Sequence, residues 1–193
     1  MRCPSCGRTF DVPVARCPHC RLSLQRLDLK FGMVPRHSRF LTDRTGKIPL
    51  SDMRQLRAAL RLFEKKFPQM LFSVFVDHLP AGTSVSEFTF WMANRARFSS
   101  VEKRRADNFD LLLVIDLATR SAALTTGYGL EPFVKETDLD DVLAPLAGPL
   151  GEGNVAVGIR ASIEALTRRL REISKQLTPT AEADTGEVLA HAS

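Results

Sequence analysis

The chain has 193 residues, 44% of them hydrophobic and 25% charged, which is typical of a soluble protein with one ordinary domain and a small extra module. The longest uninterrupted apolar run covers only residues 111–115, far short of the roughly 20 residues that span a membrane, so the composition excludes a membrane-spanning helix. The net charge of +5 is concentrated at the front, because residues 1–66 carry 15 Lys or Arg and only 5 Asp or Glu.

Two Cys-x-x-Cys pairs open the chain, Cys3 with Cys6 and Cys17 with Cys20. Two residues between the sulfurs let one tight turn present both thiolates to a tetrahedral ion at about 2.3 Å. Gly7 follows the first pair and can adopt the positive φ that such a turn requires. A matched double pair is more typical of a zinc ribbon than of a thioredoxin-like redox site or a disulfide pair. Because four thiolates fill the coordination shell, the motif predicts a structural zinc ion.

All the cysteines of the chain lie in this motif, which needs reduced thiols, and no apolar leader precedes it. Reduced thiols are typical of the cytosol. We therefore predict a cytoplasmic protein with a zinc ribbon over residues 1–22.

The pattern after the ribbon predicts a linker and then alternating helices and strands. Leucines that alternate within residues 21–35 indicate a short strand or extended segment, and we assign residues 23–37 to a linker. Apolar residues at spacings of three and four predict a helix that begins after Ser51 and ends near Pro68. Residues 71–77 are rich in β-branched and aromatic side chains, which predicts a buried strand. Ser84 and Glu87 form a capping-box pattern that starts a second helix, with Trp91 beside its apolar face.

The second half predicts a hairpin and two helices. Residues 111–117 form an apolar strand, and a short turn returns the chain through residues 122–126, so these strands should pair. Thr137 and Asp138 favour a helix start, and Pro145 should disturb or end that helix. A long amphipathic helix is predicted over residues 155–175, followed by a disordered tail over residues 177–193. Because a strand–helix–strand crossover joins parallel strands with a right-handed connection, the order predicts an α/β sandwich with a mixed sheet flanked by helices.

Three segments resemble the TPM domain family, whose members are often labelled TPM phosphatases. The Phe-Leu-Thr-Asp of residues 40–43 resembles a family motif upstream of the first helix, and residues 107–114 resemble its Asp-Asn-Gly-Val-Leu-Leu-Leu-Val strand. The Gly-Tyr-Gly-Leu-Glu of residues 127–131, followed by Thr137 and Asp138, is similar to its most recognisable signature. The resemblance spans residues 38–176 and implies the family's α/β sandwich. It also implies acid-phosphatase activity, divalent-cation binding or an accessory role, often at membranes.

The sequence departs from the family pattern in three places. Phe109 and Asp110 stand where the family usually has Gly-Val. Thr119 precedes Arg120 where an acidic residue is usual, and residues 153–155 replace the usual Gly-Asp-Tyr. Since these changes remove acidic positions, they favour a domain that binds a partner over one that hydrolyses a substrate.

Aspartates at strand ends are the candidate catalytic residues. Ligands of open α/β sheets bind beyond the carboxyl ends of parallel strands, where Asp77 and Asp116 end two predicted strands and Asp43 could join them. Clustered carboxylates could hold Mg²⁺ or Ca²⁺, which would polarise a phosphoryl oxygen or activate water. The alternative is that these aspartates only organise turns and cap helices.

Three functions remain open from the sequence. The first is a cytoplasmic accessory or binding protein whose zinc ribbon docks a protein partner. The second is a metal-dependent phosphatase that acts on phosphate monoesters through Asp43, Asp77 and Asp116. The third is nucleic-acid binding through the basic front half, with steeply salt-dependent affinity, although only Phe10 and Phe31 lie near the ribbon for base stacking.

Overall fold

A computed structural model of the chain describes residues 2–10, 14–96 and 109–177. Its elements, in chain order, are α1 Leu24–Phe31, β1 Leu41–Asp43, α2 Leu50–Lys66, β2 Phe72–Asp77, α3 Val85–Arg95, β3 Leu111–Asp116, β4 Ser121–Thr126, α4 Glu136–Gly151 and α5 Val155–Leu177. Apart from Leu177, the predicted tail lies outside the described residues, as does the family-like Asp-Asn of residues 107 and 108.

The four strands form one mixed sheet in the order β1-β2-β3-β4. Strands β1, β2 and β3 are parallel, and β4 pairs antiparallel with β3, which confirms the predicted α/β class and the predicted hairpin. Sequence patterns did not indicate β1, because three residues are too few to show an alternation. This strand depends on its pairing with β2.

Each face of the sheet is covered by a different layer, because strand side chains alternate between the two faces. Val74 and Leu113 belong to the larger apolar cluster, formed with α2, α4 and α5. Phe75 and Val114 belong to a second cluster, formed with α1, α3 and the ribbon. Since α2 and α3 cover opposite faces of three consecutive strands, their two crossovers have opposite hands. The right-handed rule therefore fails for one of them.

The segment predicted as a strand or extended linker contains helix α1, so that part of the prediction was wrong. Ser23 caps the helix by accepting a hydrogen bond from the Arg26 N–H, at 3.3 Å. Leu27 is buried, whereas Leu29 is 90% exposed. The leucines alternate along the sequence, but in the helix only the side that carries Leu27 contacts the domain. The predicted boundaries at residues 22, 37 and 176 stay predictions.

Helix α4 continues through Pro145 and Pro149 to Gly151. Pro145 does not end the helix, so that part of the prediction was wrong. A proline lacks the N–H that would bond the carbonyl four residues earlier. For Pro145 that carbonyl belongs to Asp141, which is exposed, so water can supply the missing donor. Packing of α4 on α5 and the sheet therefore outweighs the tendency of proline to end a helix.

Helices α4 and α5 approach closely at Gly158. A Cβ added there would lie 2.8 Å from Leu146 Cδ1 and 3.4 Å from Leu146 Cα. We expect Gly158→Ala to lower the free energy of unfolding by about 1 kcal/mol, because overpacking costs roughly 1–3 kcal/mol and the gain in helix propensity is smaller. Gly148→Ala in α4 is the matched control: a Cβ there meets nothing within 4 Å, so it should raise stability by about 0.5–1 kcal/mol. Urea denaturation followed by circular dichroism measures both, and equal stabilisation by both variants would contradict the close approach.

Candidate metal centre and the carboxyl edge of the sheet

The four cysteine sulfurs meet at one point. Cys3 Sγ lies 3.6 Å from Cys20 Sγ, and Cys6 Sγ lies 3.7 Å from Cys17 Sγ. All four lie within 4.8 Å of one another. Four sulfurs at 2.3 Å from a tetrahedral ion would be about 3.8 Å apart, so the cluster has the dimensions of a four-thiolate metal site.

The two knuckles that carry these sulfurs share one backbone structure. In each, the leading cysteine N–H donates to the carbonyl five residues later, and the residue after the second cysteine donates back to the leading carbonyl, all at 2.8–2.9 Å. The predicted positive φ at Gly7 is confirmed at 71°, and the equivalent residue of the second knuckle, Arg21, has a φ of 60°. A side chain in this conformation costs of order 1–3 kcal/mol, so the contacts of the second knuckle must offset this strain.

The thiols differ in their electrostatic surroundings. A hydrogen bond from the Cys20 N–H, opposed by burial and aided by the His19 N–H, lowers the pKa of the Cys17 thiol to about 6. Burial raises the pKa of the Cys3 thiol to about 12. A bound cation would displace the Cys3 proton, because coordinating thiols are deprotonated outright. The His19 side chain is exposed, consistent with four sulfurs being the ligand set.

The ribbon packs directly on the α/β domain. Cys3 and Cys17 are 4% and 5% exposed and belong to the same apolar cluster as Phe75, Trp91 and other residues of the sheet and α3. Arg2 also forms an ion pair with Glu136 at the start of α4. The cysteine cluster is therefore part of the layer that covers one face of the sheet.

Helix α1 is clamped to α3 through Asp28. Its carboxylate accepts two hydrogen bonds from Arg95, at 2.6 and 2.8 Å, and one from Trp91 Nε1 at 3.0 Å. The Arg95 hydrogen bonds, against a smaller effect of burial, lower the pKa of Asp28. Sequence reasoning missed Asp28, because its partners lie more than 60 residues away and its own segment was predicted as a linker.

The three candidate aspartates end neighbouring parallel strands at the carboxyl edge of the sheet, as predicted for Asp77 and Asp116, whereas Asp43 was expected in a loop. Asp77 lies opposite Asp116, whereas Asp43 lies opposite Val76. Since side chains alternate, Asp77 and Asp116 point to the α3 face and Asp43 points to the other. Within residues 2–10, 14–96 and 109–177, the cysteines are the one group of three or more His, Cys, Asp or Glu side chains close enough to share an ion.

The carboxylate of Asp43 organises the loop before α2. Its Oδ1 accepts hydrogen bonds from the Thr45 N–H at 2.8 Å, the Thr45 hydroxyl at 2.6 Å and the Gly46 N–H at 3.1 Å. Its Oδ2 accepts from the Ile48 N–H at 2.9 Å. Four short-range donors therefore use both oxygens.

Asp77 is paired within the same edge. Its Oδ2 lies 3.2 Å from Arg44 Nε, and its Oδ1 accepts from the His78 N–H at 2.9 Å. The side chain of His78 is exposed, as expected for a surface histidine.

Asp116 is the most buried of the three, at 1% exposure. Its Oδ1 accepts from the Leu79 and Ala118 N–H groups at 2.9 Å, and its Oδ2 accepts from the Thr119 hydroxyl at 2.6 Å. Burial raises the pKa of Asp116, but the hydrogen bonds from Thr119, Leu79 and Ala118 together outweigh burial and leave it below the ordinary value. This side chain joins the loop after β2 to the β3–β4 turn.

We expect Asp116→Ala to lower the free energy of unfolding by about 2–3 kcal/mol, because each buried donor left without an acceptor costs roughly 1–3 kcal/mol. Asp116→Asn keeps an acceptor oxygen and should cost less. Since the folded pKa lies below the unfolded one of about 3.9, the stability from ionised Asp116 is present above about pH 4 and is lost as the pH falls through the folded pKa. Urea denaturation from pH 7 downward measures this, and an unchanged acid dependence in Asp116→Asn would contradict it.

A cleft of about 830 Å³ opens beside β4, between α3, α4 and the ribbon. Residues of the Gly-Tyr-Gly-Leu-Glu segment line it, including Tyr128 and Glu131. Burial, together with the negative charge of Glu131, raises the pKa of Tyr128. Sequence reasoning placed a tight turn here and missed the cleft, because its walls come from three distant parts of the chain.

Comparison with known proteins agrees with this fold. Residues 41–169 match the sequence profile of the TPM domain. No curated protein matches the chain. In the parts of the chain that the structure describes, no helix is long and apolar enough to cross a membrane.

Three similar solved structures share the fold. The N-terminal domain of a protein from P. gingivalis is 24% identical, with a TM-score of 0.58 over 69% of this chain and 83% of that chain. The BA42 protein from Bizionia argentinensis is 12% identical, with a TM-score of 0.57 over 68% and 86%. The N-terminal domain of the cg2496 protein from Corynebacterium glutamicum is 16% identical, with a TM-score of 0.50 over 79% and 89%.

Proposed function

The chain belongs to the TPM domain family, and within that family we propose that it is an accessory protein that binds a protein partner and does not hydrolyse phosphate esters. One observation carries the proposal. The strand-end aspartates are held by hydrogen bonds and an ion pair to the loops around them, and Asp43 points to the opposite sheet face from Asp77 and Asp116. A carboxylate committed in this way is a poor ligand for Mg²⁺, which needs near-octahedral oxygen coordination.

We assign zinc to the cysteine cluster and a reducing compartment, such as the cytoplasm, to the protein. The sulfur separations match a tetrahedral thiolate site, and all four cysteines are free of disulfides. Thiols persist in reducing compartments. Nucleic-acid binding through the basic front half stays a prediction, but Phe31 no longer supports base stacking. Phe31 packs on Phe88 and Trp91, at centroid distances of 5.3 and 5.2 Å, so its ring faces are already in contact with protein.

Metal analysis of the purified full chain should find about one zinc per chain. Removing it with a chelator should lower the melting temperature of the whole protein, because Cys3 and Cys17 belong to the apolar cluster on the sheet. Cys17→Ser should lose the metal, and His19→Ala should keep it, since the His19 side chain is exposed. Retention of zinc by Cys17→Ser, or a melting temperature that ignores the chelator, would contradict the assignment.

The hydrolysis test uses p-nitrophenyl phosphate with Mg²⁺ or Ca²⁺. We expect no turnover above the no-enzyme rate, because no three carboxylates within the described residues converge on one ion. The accessory role is overturned by metal-dependent turnover that Asp77→Asn and Asp116→Asn abolish and Cys17→Ser leaves intact. Asp77→Asn is included because Asp77 is less buried than Asp116, so the variant should fold normally.

A further inference from the structure

Four cationic side chains form a row along one side of helix α2, and we call them the α2 row: Arg54, Arg57, Arg61 and Lys65. Their spacing of three, four and four residues places neighbouring Cβ atoms about 5–6 Å apart. Arg54, Arg61 and Lys65 are exposed, and Arg57 is half-buried. The row extends about 16.5 Å, since each helical residue rises about 1.5 Å.

The α2 row differs from other cations of the basic front half in its pairing. Four of those cations each form an ion pair with a carboxylate: Arg2, Lys30, Arg39 and Arg44. Glu64 of α2 is the partner of Arg39. Within residues 2–10, 14–96 and 109–177, no side chain of the α2 row has a carboxylate partner. The row therefore presents positive charge to solvent that these residues do not neutralise.

The middle of the α2 row is held in place beside strand β1. Arg57 Nη2 donates to the Leu41 carbonyl at 3.4 Å, and Arg61 Cζ lies 5.9 Å from the centre of the Phe40 ring. Arg39 Cζ lies 5.3 Å from the centre of the same ring. Because these contacts limit the conformations of the guanidinium groups before binding, less conformational entropy is lost when a ligand binds.

The surface around the α2 row offers a protein partner little besides charge. The Leu41 carbonyl on β1 already accepts hydrogen bonds from the Ser38 hydroxyl, at 2.6 Å, and from Arg57, so both of its lone pairs are used. The exposed apolar side chains of α2, Leu50 and Leu62, lie about 18 Å apart along the helix axis and form no continuous patch. Cores of protein–protein interfaces are depleted of charge, whereas contacts with nucleic-acid phosphates need chiefly cations. The surface therefore fits a polyanion.

Among polyanions, the geometry favours duplex DNA. Single strands are bound largely by base stacking on aromatic rings, and the Phe40 ring is already in contact with Arg39 and Arg61. RNA duplexes are recognised by shape over about 16 base pairs and through their 2′-hydroxyls, for which Arg and Lys provide no acceptor. One strand of B-DNA carries a phosphate about every 3.4 Å along its axis, so the row spans about five phosphates.

We propose that the α2 row binds the phosphate backbone of duplex DNA. Guanidinium groups match phosphate oxygens with two parallel hydrogen bonds, and three of the four side chains are arginines. Since phosphate contacts carry no direct sequence information, the binding has no sequence preference. This inference goes beyond the protein-binding role and does not depend on it.

The test measures fluorescence anisotropy of a short labelled DNA duplex as the zinc-loaded full chain is added. We expect a dissociation constant of about 10⁻⁴–10⁻⁶ M at physiological salt, the range of non-specific binding. The logarithm of the association constant should fall with the logarithm of the salt concentration, with a slope of about −3.6 when all four cations release counterions. A duplex of unrelated sequence should bind with the same affinity within about twofold.

Two double variants that remove equal charge locate the site. Arg54→Gln with Lys65→Gln should weaken binding at least about tenfold at low salt and make the salt slope shallower by about 1.8. Arg171→Gln with Lys175→Gln is the matched control on α5, whose recorded hydrogen bond to α2 goes from Arg160 to Gln55 outside the row. The control should keep the affinity within about twofold and leave the slope unchanged. All four substituted side chains are exposed, so both variants should keep the melting temperature of the unmodified chain.

Several outcomes would overturn the proposal. They are the absence of binding, an affinity that does not change with salt, and an equal loss of affinity in the two double variants. Competition with an RNA duplex, single-stranded DNA, polyglutamate or phosphatidylserine vesicles completes the test. Tighter binding to any of these would assign the row to that polyanion and not to duplex DNA. The turnover assay is separate, so failure of this inference leaves the accessory role untouched.

Discussion

Strand β3 is apolar on both sides, and the protein must therefore cover both faces of its sheet. All six residues of the strand are buried. A parallel strand in this position stabilises the fold only when two layers exclude water from it. Helices α2, α4 and α5 provide one layer from within the TPM domain. The other layer needs the ribbon and α1 in addition to α3, and this requirement explains why the cysteine cluster packs on the domain.

The burial of β3 also determines what the aspartates at the carboxyl edge of the sheet do. Asp116 ends a fully buried strand, and the hydrogen bonds that it accepts there lower its pKa despite burial. Those donors come from the loop after β2 and from the β3–β4 turn, so the carboxylate holds two connections in place. Asp43 holds the loop before α2 in a similar way. Charge at this edge of the sheet therefore holds loops of the fold in place.

Strand β4 lies at the other end of the strand order, and none of the described strands pairs with its outer side. Covering both faces with helices leaves the last strand between α3 and α4, at the bottom of a cleft. The ribbon borders the same cleft through Arg2 and neighbouring residues. The cysteine cluster and the cleft are thus physically connected, although they come from separate sequence motifs.

The sequence by itself determined the features that depend on neighbours close along the chain. Cysteine spacing indicated the metal cluster, and periodicity indicated α2, β2, the β3–β4 hairpin and α5. Only the tertiary structure decided the rest. Helix α1 needs Arg95 and Trp91 to hold Asp28, and β1 exists through its pairing with β2. The sheet register separates Asp43 from Asp77 and Asp116, and the cleft needs walls from distant segments. Each of these depends on contacts between residues far apart in the chain, which local patterns do not encode.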